Sequence, residues 1–268
     1  MLGISIRANW DIEKVIDSII NLKIDLCEVQ LDNPIFKFQE NQKKLIKLIN
    51  KIHSSDVHLS FHLSFIDLNI ASLDNKLRYY STKVLIKEIR FVKRWNPSYV
   101  VVHTGKISDT FFEMPSVKEN AHKQHVKSIS ELINISNIHK IPFAIENRQK
   151  SRTSGLIQNV NDIRHYNQLF PTLQYVLDIG HLNTFYTNLN MLFKEISLIC
   201  EFPLIAIHLS NNYGKDTHRS LADGSIPFKT LFSKIPALKE KFLIIESSSF
   251  KDSLESLDFL HNLNIGKV

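Results

Sequence analysis

The stretch Gln174-Tyr175-Val176-Leu177-Asp178 is an apolar run that closes on a carboxylate, and it decides the fold that we expect. Buried parallel strands are nearly continuous apolar runs, so an ionisable residue at the end of such a run indicates a functional role. Five further runs in the chain end in the same way: Phe61-His62, Val101-Val102-His103, Ala144-Ile145-Glu146, Ala206-Ile207-His208 and Ile244-Ile245-Glu246. Six such endings in order indicate a polar, metal-binding site at one end of a single barrel.

Apolar runs alternate with amphipathic segments eight times along the chain. The predicted strands are Leu2–Arg7, Leu26–Leu31, His58–Ser64, Tyr99–Gly105, Pro142–Arg148, Gln174–His181, Leu204–Asn212 and Lys241–Ser247. The clearest predicted helices are Asp11–Leu22, Asn75–Arg94, Ser116–His139 and Asp252–Leu263, where apolar residues recur at helical spacing. Strict alternation implies parallel strands with right-handed crossovers. We therefore predict an α/β fold, a single (β/α)8 TIM barrel with the active site at the C-terminal strand ends.

An open, doubly wound sheet is the main alternative to a closed barrel. The glycine-rich phosphate turn of a dinucleotide-binding fold is missing after the first predicted strand, where Arg7-Ala8-Asn9-Trp10 stands. The length of 268 residues is typical of one barrel, and no linker or composition shift divides the chain. We predict one domain over residues 1–268.

The composition predicts a cytoplasmic protein. The start Met1-Leu2-Gly3-Ile4 lacks the features of a signal peptide, and no apolar run reaches the ~18 residues that a membrane span needs. The two cysteines, Cys27 and Cys200, lie in apolar stretches typical of reduced core thiols. The net charge is +6, but the lysines are dispersed along predicted helices, so charge alone does not predict a nucleic-acid binder.

Three more potential ligands lie in loops at the same end of the predicted barrel. His181 follows Asp178 by three residues, and an Asp-Thr-His sequence follows the seventh strand. The full set has five histidines and four carboxylates: His62, His103, Glu146, Asp178, His181, His208, Asp216, His218 and Glu246. Four carboxylates in one mouth repel each other unless cations neutralise them, and mixed imidazole and carboxylate ligands suit Zn, Mn, Co or Fe. We predict that this set binds divalent metal.

Four other residues at this end are candidates for substrate binding. Glu28, in the second strand, either binds substrate, orients a metal ligand through a hydrogen bond, or forms a surface salt bridge. Arg148 and Arg219 are placed to clamp a phosphate or a hydroxyl-rich substrate. Asn183 is a further candidate, because its amide can donate or accept at the rim.

The motifs around these residues resemble the xylose isomerase-like TIM-barrel superfamily. That superfamily contains sugar and sugar-phosphate isomerases and epimerases, and also the endonuclease IV family of abasic-site nucleases (AP endonuclease family 2). The resemblance covers essentially the whole chain and is carried by Phe61-His62-Leu63, Val102-His103-Thr104-Gly105, Ile145-Glu146-Asn147, Asp178-Ile179-Gly180-His181, Ile207-His208-Leu209-Ser210, Asp216-Thr217-His218 with Asp223-Gly224, and Ile245-Glu246-Ser247. These motifs are specific for the superfamily and poorly specific for the reaction.

Resemblance to the isomerase branch implies one divalent ion, Mn, Mg or Co. Its ligands would be Glu146, Asp178, His208 and Glu246. Glu146 and Glu246 would act as the general acid and base on a small polyol or sugar phosphate, and the metal would stabilise the enediolate oxygen. His181 would be a third catalytic residue, which holds the substrate together with Arg219.

Resemblance to the nuclease branch implies three zinc ions and DNA as the substrate. The family pattern would place them in three groups: His62, His103 and Glu146; Glu146, Asp178, His208 and Glu246; His181, Asp216 and His218. The chain departs from that branch in its short loop between His208 and Asp216 and in lacking a clear DNA-penetrating loop. We therefore favour the isomerase or epimerase, with the nuclease as the alternative and a non-catalytic binding barrel as the third possibility. A homodimer is possible, since exposed barrel helices often pair subunits.

Overall fold

The computed structural model describes residues 1–7, 10–22, 24–32 and 39–266. The described residues form ten strands: β1 Leu2–Ile6, β2 Leu26–Gln30, β3 His58–His62, β4 Val100–His103, β5 Lys106–Ser108, β6 Phe143–Glu146, β7 Thr153–Gly155, β8 Gln174–Asp178, β9 Leu204–Leu209 and β10 Phe242–Ile245. Eight of them, all except β5 and β7, are parallel and close into a barrel in the order β1-β10-β9-β8-β6-β4-β3-β2. The (β/α)8 TIM barrel predicted from the sequence is confirmed.

The barrel closes where β1 pairs with both β2 and β10. All five residues of β1 are buried, as expected for a strand covered on both faces. Gly3 permits the close approach of the three strands, because a Cβ atom there would lie 2.6 Å from the carbonyl oxygen of Leu26 and 2.9 Å from Cδ1 of Ile244.

Helices surround the barrel. Among the described residues they are α1 Ile12–Asn21, α2 Gln39–His53, α3 Asn75–Val92, α4 Asp109–Phe112, α5 Pro115–His139, α6 Val160–Leu169, α7 Ile179–Asn183, α8 Leu189–Ile199, α9 Phe228–Lys234 and α10 Phe250–Asn262. The helix α3 begins where the Asp74 carboxylate caps the backbone N–H of Lys76. Its apolar face, which includes Leu85 and Ile89, is buried against the barrel.

Two features differ from the sequence prediction. The predicted strand Gln174–His181 ends at Asp178, because that side chain accepts from the backbone N–H of His181 and starts the short helix α7. The short antiparallel pair β5–β7 was not predicted, because three-residue strands carry too little periodicity. Within the described part of the chain, no helix combines the length and apolar character needed to cross a bilayer.

Candidate metal centre

The functional side chains lie directly above an apolar layer inside the barrel. That layer contains Leu26, Val101, Ala144, Val176, Ala206 and Ile244, packed around Tyr99. Successive side chains of a strand alternate between its faces, so the residue two positions later points to the same interior. Those later residues are Glu28, His103, Glu146, Asp178, His208 and Glu246. Each of these strands therefore places a polar side chain directly above its apolar residue of the inner layer. The six polar side chains meet at one end of the barrel.

The nine predicted ligands converge in three groups. The central group is Glu146, Asp178, His208 and Glu246; the histidine group is His62, His103 and Glu146; the loop group is His181, Asp216 and His218. In each group, one donor atom from every residue lies within 4.8 Å of the others. That the nine residues bind metal stays a prediction, but the donor types and separations fit divalent cations.

Glu146 lies at the junction of the groups and is fully buried. Its Oε2 is 3.0 Å from Nε2 of His62 and 3.0 Å from Nε2 of His103. Its Oε1 is 3.3 Å from Nδ1 of His208. One carboxylate therefore faces imidazole nitrogens of two groups, which is the arrangement that a bridging ligand requires.

The hydrogen bonds of the imidazoles leave one ring nitrogen of each facing a carboxylate. Nδ1 of His62 donates to the carbonyl of Leu63 at 2.9 Å, which leaves the lone pair of Nε2 aimed at Glu146. Nδ1 of His218 likewise donates to the carbonyl of Glu246 at 3.0 Å, and its Nε2 lies 3.1 Å from Oδ1 of Asp216. A lone pair and a carboxylate repel each other, so each contact needs a metal ion or a proton between its atoms.

In His208 the two ring nitrogens are used the other way round: Nε2 faces a supporting group, and Nδ1 faces the central group. Its Nε2 lies 3.1 Å from the buried carboxylate of Glu28, and the hydroxyl of Tyr99 donates to that carboxylate at 2.8 Å. Its Nδ1 lies 2.9 Å from Glu246. With a cation at Nδ1, Glu28 would hold the proton on Nε2 and so direct the lone pair of Nδ1 into the central group. Its full burial excludes the surface salt bridge that the sequence left open.

The electrostatics of the site also favour bound cations. Although burial opposes their charged forms, hydrogen bonds to Glu146 and Asp216 raise the pKa values of His62 and His218 to about 9. Burial, with the charges of Glu146 and Glu246, raises the pKa of Asp178 to about 6. Oδ2 of Asp178 is buried without a hydrogen-bond partner among the described residues. A cation would relieve both the carboxylate repulsion and this unsatisfied oxygen.

The loop that carries Asp216 and His218 is held in place largely by one asparagine. Asn211 forms a backbone bridge with Arg219, and its side-chain amide donates to the carbonyls of Leu221 and Ile226. Gly224 packs against this amide so closely that a Cβ atom there would lie 2.1 Å from Oδ1 of Asn211. The short loop is therefore held firmly without being part of a regular element.

His181 is positioned by the helix α7, in which it lies, and by the loop that follows β6. Nδ1 of His181 donates to the carbonyl of Asn147 at 2.9 Å. The side chain of Asn147 pairs with the backbone N–H and C=O of Asp178 at 2.7 and 3.1 Å. Asn147 therefore links the ends of β6 and β8 and orients two predicted ligands, which its position after Glu146 did not reveal.

The remaining substrate-binding candidates have different surroundings. Arg148 is partly buried and lies beside His103 and Thr104. Arg219 points to solvent, where it pairs with Asp223 and lies over the ring of Tyr213. The amide of Asn183 donates to Asn212 and Ser225, so it ties α7 to the loop after β9. Contact of these side chains with substrate stays a prediction.

Two residues at the site were missed in the sequence. Nε2 of Gln30 donates to Oε1 of Glu246 at 2.7 Å, and a guanidinium nitrogen of Arg7 lies 3.8 Å from the same oxygen. Gln30 follows Glu28 by two residues on β2 and therefore points to the same interior. That periodicity is the signal that would have found it.

Comparisons with known proteins agree with the architecture. Residues 18–263 match the family model described as xylose isomerase-like TIM barrel. The chain is 24% identical over 253 residues to the uncharacterized protein MJ1311 of Methanocaldococcus jannaschii, a match that covers 91% of this chain and 82% of that relative.

Similar solved structures include a D-tagatose 3-epimerase-like protein, with TM-score 0.83, 20% identity and coverage of 98% of this chain and 96% of the other. The TTHB071 protein of Thermus thermophilus, soaked with ZnCl2, has TM-score 0.75 and 16% identity, covering 100% and 99%. Endonuclease IV of the same organism has TM-score 0.69 and 14% identity, covering 98% of each chain. At these identities the structures share the fold.

Proposed function

The chain belongs to the xylose isomerase-like TIM-barrel family, and on that premise we propose that it is a divalent-metal-dependent isomerase or epimerase of sugars or sugar phosphates. The observation that carries the proposal is the pair of buried glutamates in the central group. Glu146 and Glu246 both face Nδ1 of His208, at 3.3 and 2.9 Å, from strands on either side of β8 and β9. Two buried carboxylates this close together suit the removal of a proton from one substrate carbon and the return of a proton to that carbon or to the adjacent one.

In this mechanism the two glutamates exchange a proton with carbon. One takes the proton beside the substrate carbonyl, and the other returns a proton to the opposite face or to the adjacent carbon. A divalent cation held by Glu146, Asp178, His208 and Glu246 would polarise the substrate oxygens and neutralise the charge that develops. Protonated His181, whose Nδ1 donates to the carbonyl of Asn147, would donate from Nε2 to a substrate oxygen. The burial of the central group would limit the access of competing water.

A second function, metal-dependent phosphodiester hydrolysis, is favoured by one specific observation. The histidine and loop groups are complete beside the central group, and a single-metal isomerase does not need them. Three zinc ions held by four carboxylates would leave a positive site that attracts a phosphodiester and activates water. The burial of the central group and the short loop after β9 favour a small substrate over duplex DNA.

Solvent deuterium exchange would test the isomerase proposal directly. The metal-loaded protein, incubated with a panel of ketoses and ketose phosphates in D2O, should place deuterium at one carbon, as seen by NMR. Glu146→Gln and Glu246→Gln should each lower that rate by about 100-fold or more, because each removes a general acid or base. Glu119→Gln, a change of the same type on an exposed residue of α5, should leave it unchanged. Undiminished turnover in both buried variants would refute the assigned roles.

Metal analysis and DNA incision separate the two functions. One Mn, Co or Mg per chain with deuterium exchange would support sugar chemistry. Three Zn per chain, with salt-dependent incision of a duplex that contains an abasic site, would support the phosphodiesterase and refute the isomerase.

A further inference from the structure

The end of β1 brings an arginine to the edge of the central group. In the parallel pairing of β1 with β2, Ser5 lies opposite Glu28, whose side chain faces the barrel interior. Arg7 follows Ser5 by two residues and therefore points to the same interior. Because β1 pairs with both β2 and β10, the Arg7 side chain reaches polar residues at the ends of both neighbouring strands.

Arg7 and Glu246 face each other without forming a hydrogen bond. Nη1 of Arg7 lies 3.8 Å from Oε1 of Glu246, and the side chain of Arg7 is 21% exposed. The Nη1 atom itself is buried and has no hydrogen-bond partner among the described residues. A buried donor without an acceptor costs free energy. This nitrogen therefore indicates a place for an oxygen that the protein does not supply.

Gln30 explains why the two charged groups stay apart. Its Nε2 donates to the same Oε1 of Glu246 at 2.7 Å, and both of these side chains are buried. The backbone of Glu246 is fixed as well, because its N–H donates to the carbonyl of Leu209 at 2.9 Å and its carbonyl accepts from Nδ1 of His218 at 3.0 Å. Turning the carboxylate toward Arg7 would break the bond to Gln30, so the guanidinium keeps an N–H for a ligand.

The gap between the two groups fits one hydroxyl oxygen. An oxygen at the ordinary hydrogen-bond length of about 2.8 Å can reach both atoms of a pair that lies 3.8 Å apart. It would accept from Nη1 of Arg7 and donate to Oε1 of Glu246, and a hydroxyl group can do both. An ionised phosphate or carboxylate has no proton to donate, and Glu246, which already balances the charge of Arg7, would repel it. The pair therefore favours a neutral hydroxyl group.

We propose that Arg7 and Glu246 together bind one hydroxyl group of a polyol substrate, and that Gln30 positions Glu246 for this contact. The inference rests on the proposed function and narrows it: at this point the substrate carries a free hydroxyl group, and not a deoxy carbon, a phosphate or a carboxylate. Oε2 of Glu246 stays directed at the central group, 2.9 Å from Nδ1 of His208. The bound hydroxyl group would therefore hold the reacting part of the substrate beside the acid or base.

Binding of alditols to the Mn-loaded protein tests the proposal without turnover, because an alditol has no carbonyl group and cannot be isomerised. Calorimetric titration would compare pentitols and hexitols with their monodeoxy derivatives. In the wild-type protein, loss of the hydroxyl group at one position should weaken binding by about 10-fold or more, since a charge-assisted hydrogen bond is lost. Arg7→Met should weaken binding of the parent alditol by a similar factor and should bind that deoxy derivative as well as the parent.

Three further variants complete the test. Gln30→Met keeps the length of the side chain but removes the donor, so Glu246 can pair directly with Arg7, and alditol binding should weaken several-fold at unchanged metal content. Arg90→Met, the same change as Arg7→Met on an exposed residue in the last turn of α3, should keep the wild-type affinity. Should Arg7→Met fail to fold, Arg7→Lys keeps the charge, loses the planar fork and should still weaken binding. Equal alditol affinities in the wild-type, Arg7 and Gln30 proteins, including no binding in any of them, would overturn the proposal.

Failure of this inference is separable from failure of the proposed function. Alditol binding that depends on Arg7, without deuterium exchange on any ketose or ketose phosphate, would refute the isomerase and leave the hydroxyl site standing. Deuterium exchange on a ketose with a KM that Arg7→Met does not change would refute the hydroxyl site and leave the isomerase standing.

Discussion

Glu28 is the clearest case of a side chain that acts through another residue. It lies beneath the central group, fully buried, where it accepts from Tyr99 and contacts Nε2 of His208. A carboxylate behind a metal-binding imidazole fixes the tautomer and makes the facing nitrogen a better ligand. We infer that Glu28 is a positioning residue, and its contact with substrate stays a prediction.

At this scale we expect Glu28→Gln to weaken metal binding by about 10- to 100-fold, because an amide orients the imidazole without adding negative charge. Competition of Mn or Zn with a fluorescent chelator would measure the affinity. The visible spectrum of the Co(II)-loaded protein should also shift, since ligand strength at His208 changes. Tyr99→Phe, which removes a hydroxyl from the same carboxylate, serves as a milder control. Unchanged affinity and an unchanged spectrum would show that Glu28 only fills space.

The loop from Asn211 to Ile226 shows how an element without regular structure can position ligands. Its hydrogen bonds run inward to the Asn211 amide, and His218 adopts a positive φ of 46° within it. A histidine tolerates this backbone conformation at a cost of about 1 kcal/mol or more. The surrounding bonds hold it there, and they place its Nε2 beside Asp216.

For this element we expect Asn211→Ala to release Asp216 and His218 while the barrel stays folded. The change removes four side-chain hydrogen bonds, each contributing about 1 kcal/mol, so the melting temperature should fall by several degrees. Hydrogen exchange of the backbone amides from 211 to 226 should become faster, while exchange in the barrel strands stays slow. Asn188→Ala, which removes the cap of α8, should lower stability by about 1 kcal/mol without changing exchange in this loop. Equal exchange rates of the loop amides in the two variants would contradict this role.

On the proposed function, we expect the stability of the whole molecule to depend on its metal content. Carboxylates and imidazoles from six strand ends, the helix α7 and the loop after β9 meet at one end of the barrel. A cation that binds the folded state and not the unfolded chain stabilises it in proportion to the logarithm of its concentration over its dissociation constant. Removal of metal with a chelator should therefore lower the melting temperature of the entire barrel.

The pH dependence of that effect follows from His62 and His218. In the metal-free fold their pKa values rise from 6.5 to about 9, so protonation stabilises this form fully below pH 6.5 and the contribution is lost as pH rises through about 9. Asp178, with its pKa raised to about 6, changes charge mainly below this window. We expect the melting temperature of the chelated protein to fall between pH 6.5 and 9, while the metal-loaded protein changes less. Scanning calorimetry would measure both, and a chelated protein with a constant melting temperature over this range would contradict the assignment.

Much of the site follows from the sequence because a barrel is periodic. Each strand needs an apolar residue in the inner layer, and the residue two places later must point to the same mouth. Reading where the apolar runs end therefore located Glu146, Asp178, His208 and Glu246 without coordinates. His181, Asp216 and His218 were predicted from their spacing in loops, which the structure brings to the same end.

Only the tertiary structure decided which nitrogen of each imidazole faces inward, and that Glu28 and Gln30 support ligands from strands far away in the chain. The same holds for the place of Arg148, which lies beside His103 and packs over Gly155. Local periodicity fixes the direction of a side chain along its own strand. Hydrogen-bond partners can come from segments that are remote in the chain. Gln30 and Glu246, for example, are 216 residues apart and meet only once the barrel has closed.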